Sequence, residues 1–109
     1  MIVSEKNVSD ALAYLAQDPH PVAVARLDLL TAENNCKSWW SKMFLEGDGT
    51  IDMRKASAET DEHYQKLKED EAEATYELER HKQRTKAADS LIEVWRSENA
   101  NARSAEKVR

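Results

Sequence analysis

Glycine, proline and cysteine are all scarce in this chain of 109 residues, with two, two and one copies respectively. The lone Cys36 excludes an internal disulfide, fits a reducing compartment and reads as a small buried apolar residue. Gly47 and Gly49 fall together, as do Pro19 and Pro21, so every other stretch is free of the two strongest helix breakers. Long apolar runs are also missing. No window approaches the roughly 18 apolar residues of a membrane span. The first residues lack the basic stretch and apolar run of a signal peptide. The expectation is a cytoplasmic protein with no membrane partner.

Chemistry-bearing motifs are equally thin. There is no nucleophile elbow, no phosphate-binding glycine loop and no dinucleotide fingerprint. The three histidines, His20, His63 and His81, form no close cluster with the cysteine, so no structural zinc site is expected. Asp48-Gly49-Thr50-Ile51-Asp52 resembles the middle of a calcium loop. With Gly49 at loop position six, however, Phe44 and Lys55 fall where the first and last carboxylates belong. Glu69, Asp70, Glu71 and Glu73 are read as a solvated face, as carboxylates on a helix usually are. No catalytic, cofactor-binding or metal residue is assigned, and the chain is read as a non-enzyme.

What is present is helical pattern. With 40% hydrophobic and 34% charged residues the chain has a lean core, enough for one domain over 1–109 with loose termini at about 1–8 and 102–109. A first short helix is expected over 10–17, capped by Ser9, with Leu12 and Leu15 on its apolar side. Pro19 and Pro21 break the chain. A second helix follows over 22–44. Its stripe runs through Val22, Leu29, Cys36 and Met43, is thickened by Ala25, Ala32, Trp39 and Trp40, and is widened by Leu27 and Leu30. Gly47 and Gly49 turn it. Thr50 caps a third helix over 51–59, with Ile51, Met53 and Ala56 making its contacts, and Thr60 opens the last helix.

That last helix has no glycine or proline from 62 to 101. Forty helical residues would span roughly 60 Å, against a radius of gyration near 13 Å for a compact domain of about 100 residues. Self-association, a dimer first, is the simplest cover. Positions 60, 64, 67, 71, 74, 78, 81, 85, 88, 92 and 95 alternate by four and three and form a seam. Glu71, His81 and Thr85 make poor knobs for a long zipper, so a helical bundle is expected. Its anchors are Trp39, Trp40, Leu67, Leu78, Leu91, Ile92 and Trp95.

Charge divides the same helix. Residues 59–79 hold nine acidic side chains against Lys66 and Lys68, while 80–109 hold eight basic against four acidic. That order suits the helix dipole and antiparallel pairing of two copies. Glu69, Asp70, Glu73 and Glu77 are the candidate face for a basic protein partner. Arg80, Arg84, Lys86, Arg96 and Arg103 are candidate nucleic-acid contacts, despite a net charge of −5.

At residues 44–50 (Phe-Leu-Glu-Gly-Asp-Gly-Thr) and 91–101 (Leu-Ile-Glu-Val-Trp-Arg-Ser-Glu-Asn-Ala-Asn) the chain resembles a group of small, uncharacterised bacteriophage and prophage proteins. Members share the turn, a charged helix and an ending close to IIEVWRSLNA. Glu98 departs from that ending, where an apolar residue is usual. The resemblance implies a phage accessory role in the host cytoplasm, near recombination or early functions. Three functions are carried forward: an adaptor or inhibitor binding a host or phage protein, a nucleic-acid-binding recombination accessory, and an acidic DNA mimic.

Overall fold

The computed structural model describes residues 3–108, and the fold is all α. Four helices follow in order: α1 (Glu5–Leu15), α2 (Pro21–Glu46), α3 (Ile51–Thr60) and α4 (Glu62–Val108). The expected sequence of a short helix, a long one, a short one and a longer one is the observed sequence. The chain forms two compact units. One joins the residues up to Pro21 with those from Arg80 onward, and the other is Val22–Glu79.

The start of α1 differs from expectation. Ser4, not Ser9, is the cap, and its hydroxyl accepts from the Asn7 amide at 3.2 Å. Val8 therefore lies inside the helix, and the buried face is Val8, Ala11 and Tyr14. Leu12 points away from it and is 52% exposed. At the other end α4 is helical to Val108, so the segment expected to loosen at 102–109 continues the helix over its described residues.

In the unit formed by α1 and the latter part of α4, Ala11, Tyr14 and Ala88 are the buried core. Leu15, Leu91 and Ile92 pack against it. Tyr14 is only 3% exposed and is bonded through its hydroxyl. The Asp18–Pro19 peptide between α1 and α2 is cis.

In the Val22–Glu79 unit, α2 begins with Pro21 at its first position, where the missing amide hydrogen costs nothing. Ala25 and Cys36 are buried, and Val22, Leu29, Ala32, Trp39 and Met43 are half-buried, so the expected stripe faces inward. Leu27 and Leu30 do not widen it. They are 63% and 52% exposed, because Leu27 stands opposite Leu29 on a helix with about 100° between residues.

Gly49 adopts φ 99° in the turn after α2, a left-handed conformation that favours glycine. Thr50 then caps α3, accepting from the Met53 amide at 3.2 Å. The buried residue of α3 is Ala58, fully enclosed, whereas Ile51, Met53 and Ala56 are exposed.

A break separates α3 from α4, and Asp61, not Thr60, makes it. Asp61 is extended, and its Oδ2 accepts from the Tyr64 amide at 2.9 Å and from the Trp39 indole N–H at 2.6 Å. Thr60 instead donates back to the Ala56 carbonyl, closing the end of α3. Gln65 reaches back from α4 to the Glu59 carbonyl. Trp39 is held on two further sides, by the His63 ring in a T-shaped contact with centroids 4.2 Å apart and by the Lys42 ammonium 4.8 Å from the ring centroid.

The seam of α4 is inward at each step from Tyr64 to Trp95, while Thr60 lies outside it, exposed. Each polar seam residue has a specific neighbour. Glu71 accepts a hydrogen bond from the Cys36 thiol and pairs with Lys68 at 3.3 Å. His81 meets Tyr14, and Thr85 donates to the His81 carbonyl at 2.9 Å.

Candidate functional site

Two grooves run along the Val22–Glu79 unit where α2 lies against α4. The first, about 530 Å³, passes Cys36, Trp40, Tyr64, Lys68 and Glu71. Its charges answer one another. Lys68 pairs directly with Glu71, and Glu71 is held below the usual carboxylate range, first by the Cys36 thiol and then by Lys68. Burial, followed by the Glu71 carboxylate, pushes the Cys36 thiol up. Cys36 is therefore a protonated structural thiol, in the opposite electrostatic setting from a nucleophilic cysteine.

The second groove, about 400 Å³, is different in kind. Ala32, Leu67 and Ala74 form its apolar floor, Asp28 stands on the α2 side, and Asp70, Glu73 and Glu77 stand on the α4 side. Thr31 and Asn35 complete the α2 wall, and no lysine or arginine lines it among the described residues. The floor is low because two of its residues are alanines at inward positions of facing helices. The α4 wall is acidic because the flank of its inward stripe carries carboxylates at helical spacing, 70, 73 and 77, and α2 adds the single carboxylate of Asp28.

Of the four acidic residues singled out from sequence, Asp70, Glu73 and Glu77 are brought together here, and Glu69 lies outside the groove, exposed. Asp28 was not singled out. Its signal was the seven-residue step to Asn35, one position ahead of Leu29 and Cys36 in the α2 stripe. The anchors Trp39, Trp40, Leu67, Leu91, Ile92 and Trp95 are half-buried, and Leu78 is buried.

The basic residues of α4 do not form one strip. The Arg84 guanidinium lies 4.1 Å over the Tyr14 ring, Arg96 pairs with Glu93 at 3.1 Å, and Arg80 contacts the His81 ring at 3.4 Å. Lys86 is exposed on the side of α4 away from its seam, and Arg103 is exposed near its end. Among the described residues no group of three or more His, Cys, Asp or Glu side chains is disposed to hold a metal ion. No described helix is long and apolar enough to cross a membrane.

An apolar floor with an acidic α4 wall and Asp28 on the opposite side suits a helix that carries an apolar stripe flanked by cations. The chain matches no family model, no curated protein and no solved structure.

Proposed function

We propose that this protein is a non-enzymatic interaction protein, an adaptor or inhibitor, whose working surface is the acidic groove between α2 and α4. Its partner is a host or phage protein that presents a basic amphipathic helix. The groove itself carries the reading: four carboxylates from two helices stand around an apolar floor with no cation among the lining residues. The apolar floor supplies contact area, and the walls select charge and raise the encounter rate. The resemblance of residues 44–50 and 91–101 to small phage and prophage proteins supports a phage accessory setting in the host cytoplasm.

The nucleic-acid reading draws less support, because three of its five candidate cations lie against Tyr14, Glu93 and His81, and the five do not form one strip. DNA mimicry asks for an unbroken acidic array, and Lys68 bonded to Glu71 interrupts it. The test is a nuclear magnetic resonance titration with a synthetic Lys/Leu/Ala amphipathic helix and its Glu/Leu/Ala counterpart. The lysine peptide shifts the amides of 28–35 and 67–77, and the glutamate peptide leaves them in place. Equal shifts from both peptides, or none from either, defeat the proposal.

A further inference from the structure

Leu27 and Leu30, which turn away from the inward stripe of α2, belong to a second strip on the same helix. Ala23, Leu27, Leu30 and Asn34 follow at steps of four, three and four, and Ser38, Ser41 and Leu45 repeat those steps. At about 100° per residue all of them fall within an arc of roughly 80°, on the side opposite Ala25 and Cys36. Every one is exposed. None of the six charges of α2 lies in that arc: Arg26, Glu33 and Lys37 line one flank, and Asp28, Lys42 and Glu46 the other. An eleven-residue repeat drifts only about 20°, so the strip runs nearly along the helix axis for roughly 33 Å.

One half of the strip protrudes and the other half is hollow. Leu27 and Leu30 stand out at 63% and 52% exposure. Around Ser38 and Ser41 lies a shallow hollow of about 580 Å³, rimmed by Leu45, Lys37, Lys42 and Glu46. The halves are also mirror-spaced about Asn34: Leu30 and Ser38 stand four residues from it, Leu27 and Ser41 seven, Ala23 and Leu45 eleven. A second α2 laid end for end, Asn34 on Asn34, therefore meets large with small at each step. A parallel α2 would set leucine on leucine and serine on serine. The reversed arrangement also brings Glu33 of each copy beside Lys37 of the other, roughly 3 Å apart along the axis. Lys42 already lies over the Trp39 ring and supplies no further pair.

We infer that two copies of this chain pair through this strip, α2 against α2 and antiparallel, about a dyad at Asn34. Leu27 and Leu30 of each copy fill the serine hollow of the other. The two Asn34 amides bond reciprocally and fix the register. The contact belongs to one helix of the Val22–Glu79 unit. None of its seven residues lines the acidic groove, so pairing and groove binding are separable.

Sedimentation velocity up to submillimolar concentration tests the pairing, after circular dichroism confirms that each variant is helical. Wild type reaches a dimer. Leu27→Lys with Leu30→Lys, and separately Ser38→Lys with Ser41→Lys, each weaken association by about ten-fold or more. Nitroxide labels test the direction, attached to Asn34→Cys or Leu45→Cys in a Cys36→Ala background. Electron–electron resonance distances across the dimer fall within about 20 Å for position 34, and near 33 Å or beyond for position 45, since antiparallel pairing sends the two Leu45 sites roughly 33 Å apart. A monomeric wild type, lysine variants that associate as wild type does, or labels at 45 as close as those at 34 overturns the inference.

Discussion

The Tyr14 hydroxyl of α1 donates to the backbone carbonyl of His81 in α4 at 3.1 Å, and the Nδ1 atom of the same histidine lies 3.2 Å away. The Tyr14 ring also lies under the Arg84 guanidinium and meets the His20 ring in a T-shaped contact. A polar seam residue of α4 thereby becomes the docking point of the first helix.

Tyr14→Phe keeps the ring and loses the hydroxyl, so it should cost about 1 kcal/mol. Tyr14→Ala removes the buried ring as well and should cost about 3–5 kcal/mol. Urea denaturation followed by circular dichroism measures both. Equal losses for the two variants would mean that the ring contributes nothing.

Ala58 is the fully enclosed residue of α3. Ala58→Leu should overpack that contact by about 1–3 kcal/mol. Met53→Ala, at an exposed position of the same helix, should stay within about 0.5 kcal/mol. Thermal denaturation of the two variants checks the contrast, which inverts if α3 packs through its larger side chains.

Helix existence and order were legible in the sequence because the α4 seam and the α2 stripe keep one period through charged surroundings. Packing side and capping were less so. Leu27, Leu30, Ile51 and Met53 were weighted by size, yet the helical angle sends them outward and brings the small Ala58 in. Thr60 and Asp61 are both good caps, and the choice between them rests on Trp39, 22 residues away, which bonds to Asp61. The acidic groove was half legible. Residues 70, 73 and 77 share a flank of α4 by spacing alone, but Asp28 joins them only once α2 is docked.

Asp61 is held below the usual carboxylate range, chiefly by the Tyr64 amide and then by the Trp39 indole. Glu71 is also held low, first by the Cys36 thiol. A carboxylate with a depressed folded pKa contributes stability that is present above its unfolded value, near 4, and lost as pH falls through the folded one. Stability should therefore decline below about pH 4, and Asp61→Asn with Glu71→Gln should flatten that decline. Urea midpoints at pH 7, 4 and 3 measure it, and an unchanged acid slope in the double variant would contradict the assignment.

The groove as a charge-selective docking site is tested most directly by calorimetric titration of the Lys/Leu/Ala helix. The titration compares wild type with a variant carrying Asp28→Asn, Asp70→Asn, Glu73→Gln and Glu77→Gln. The account predicts saturable binding to wild type that weakens about ten-fold or more in the neutralised variant and also weakens with added salt. Equal affinity for both proteins would contradict it.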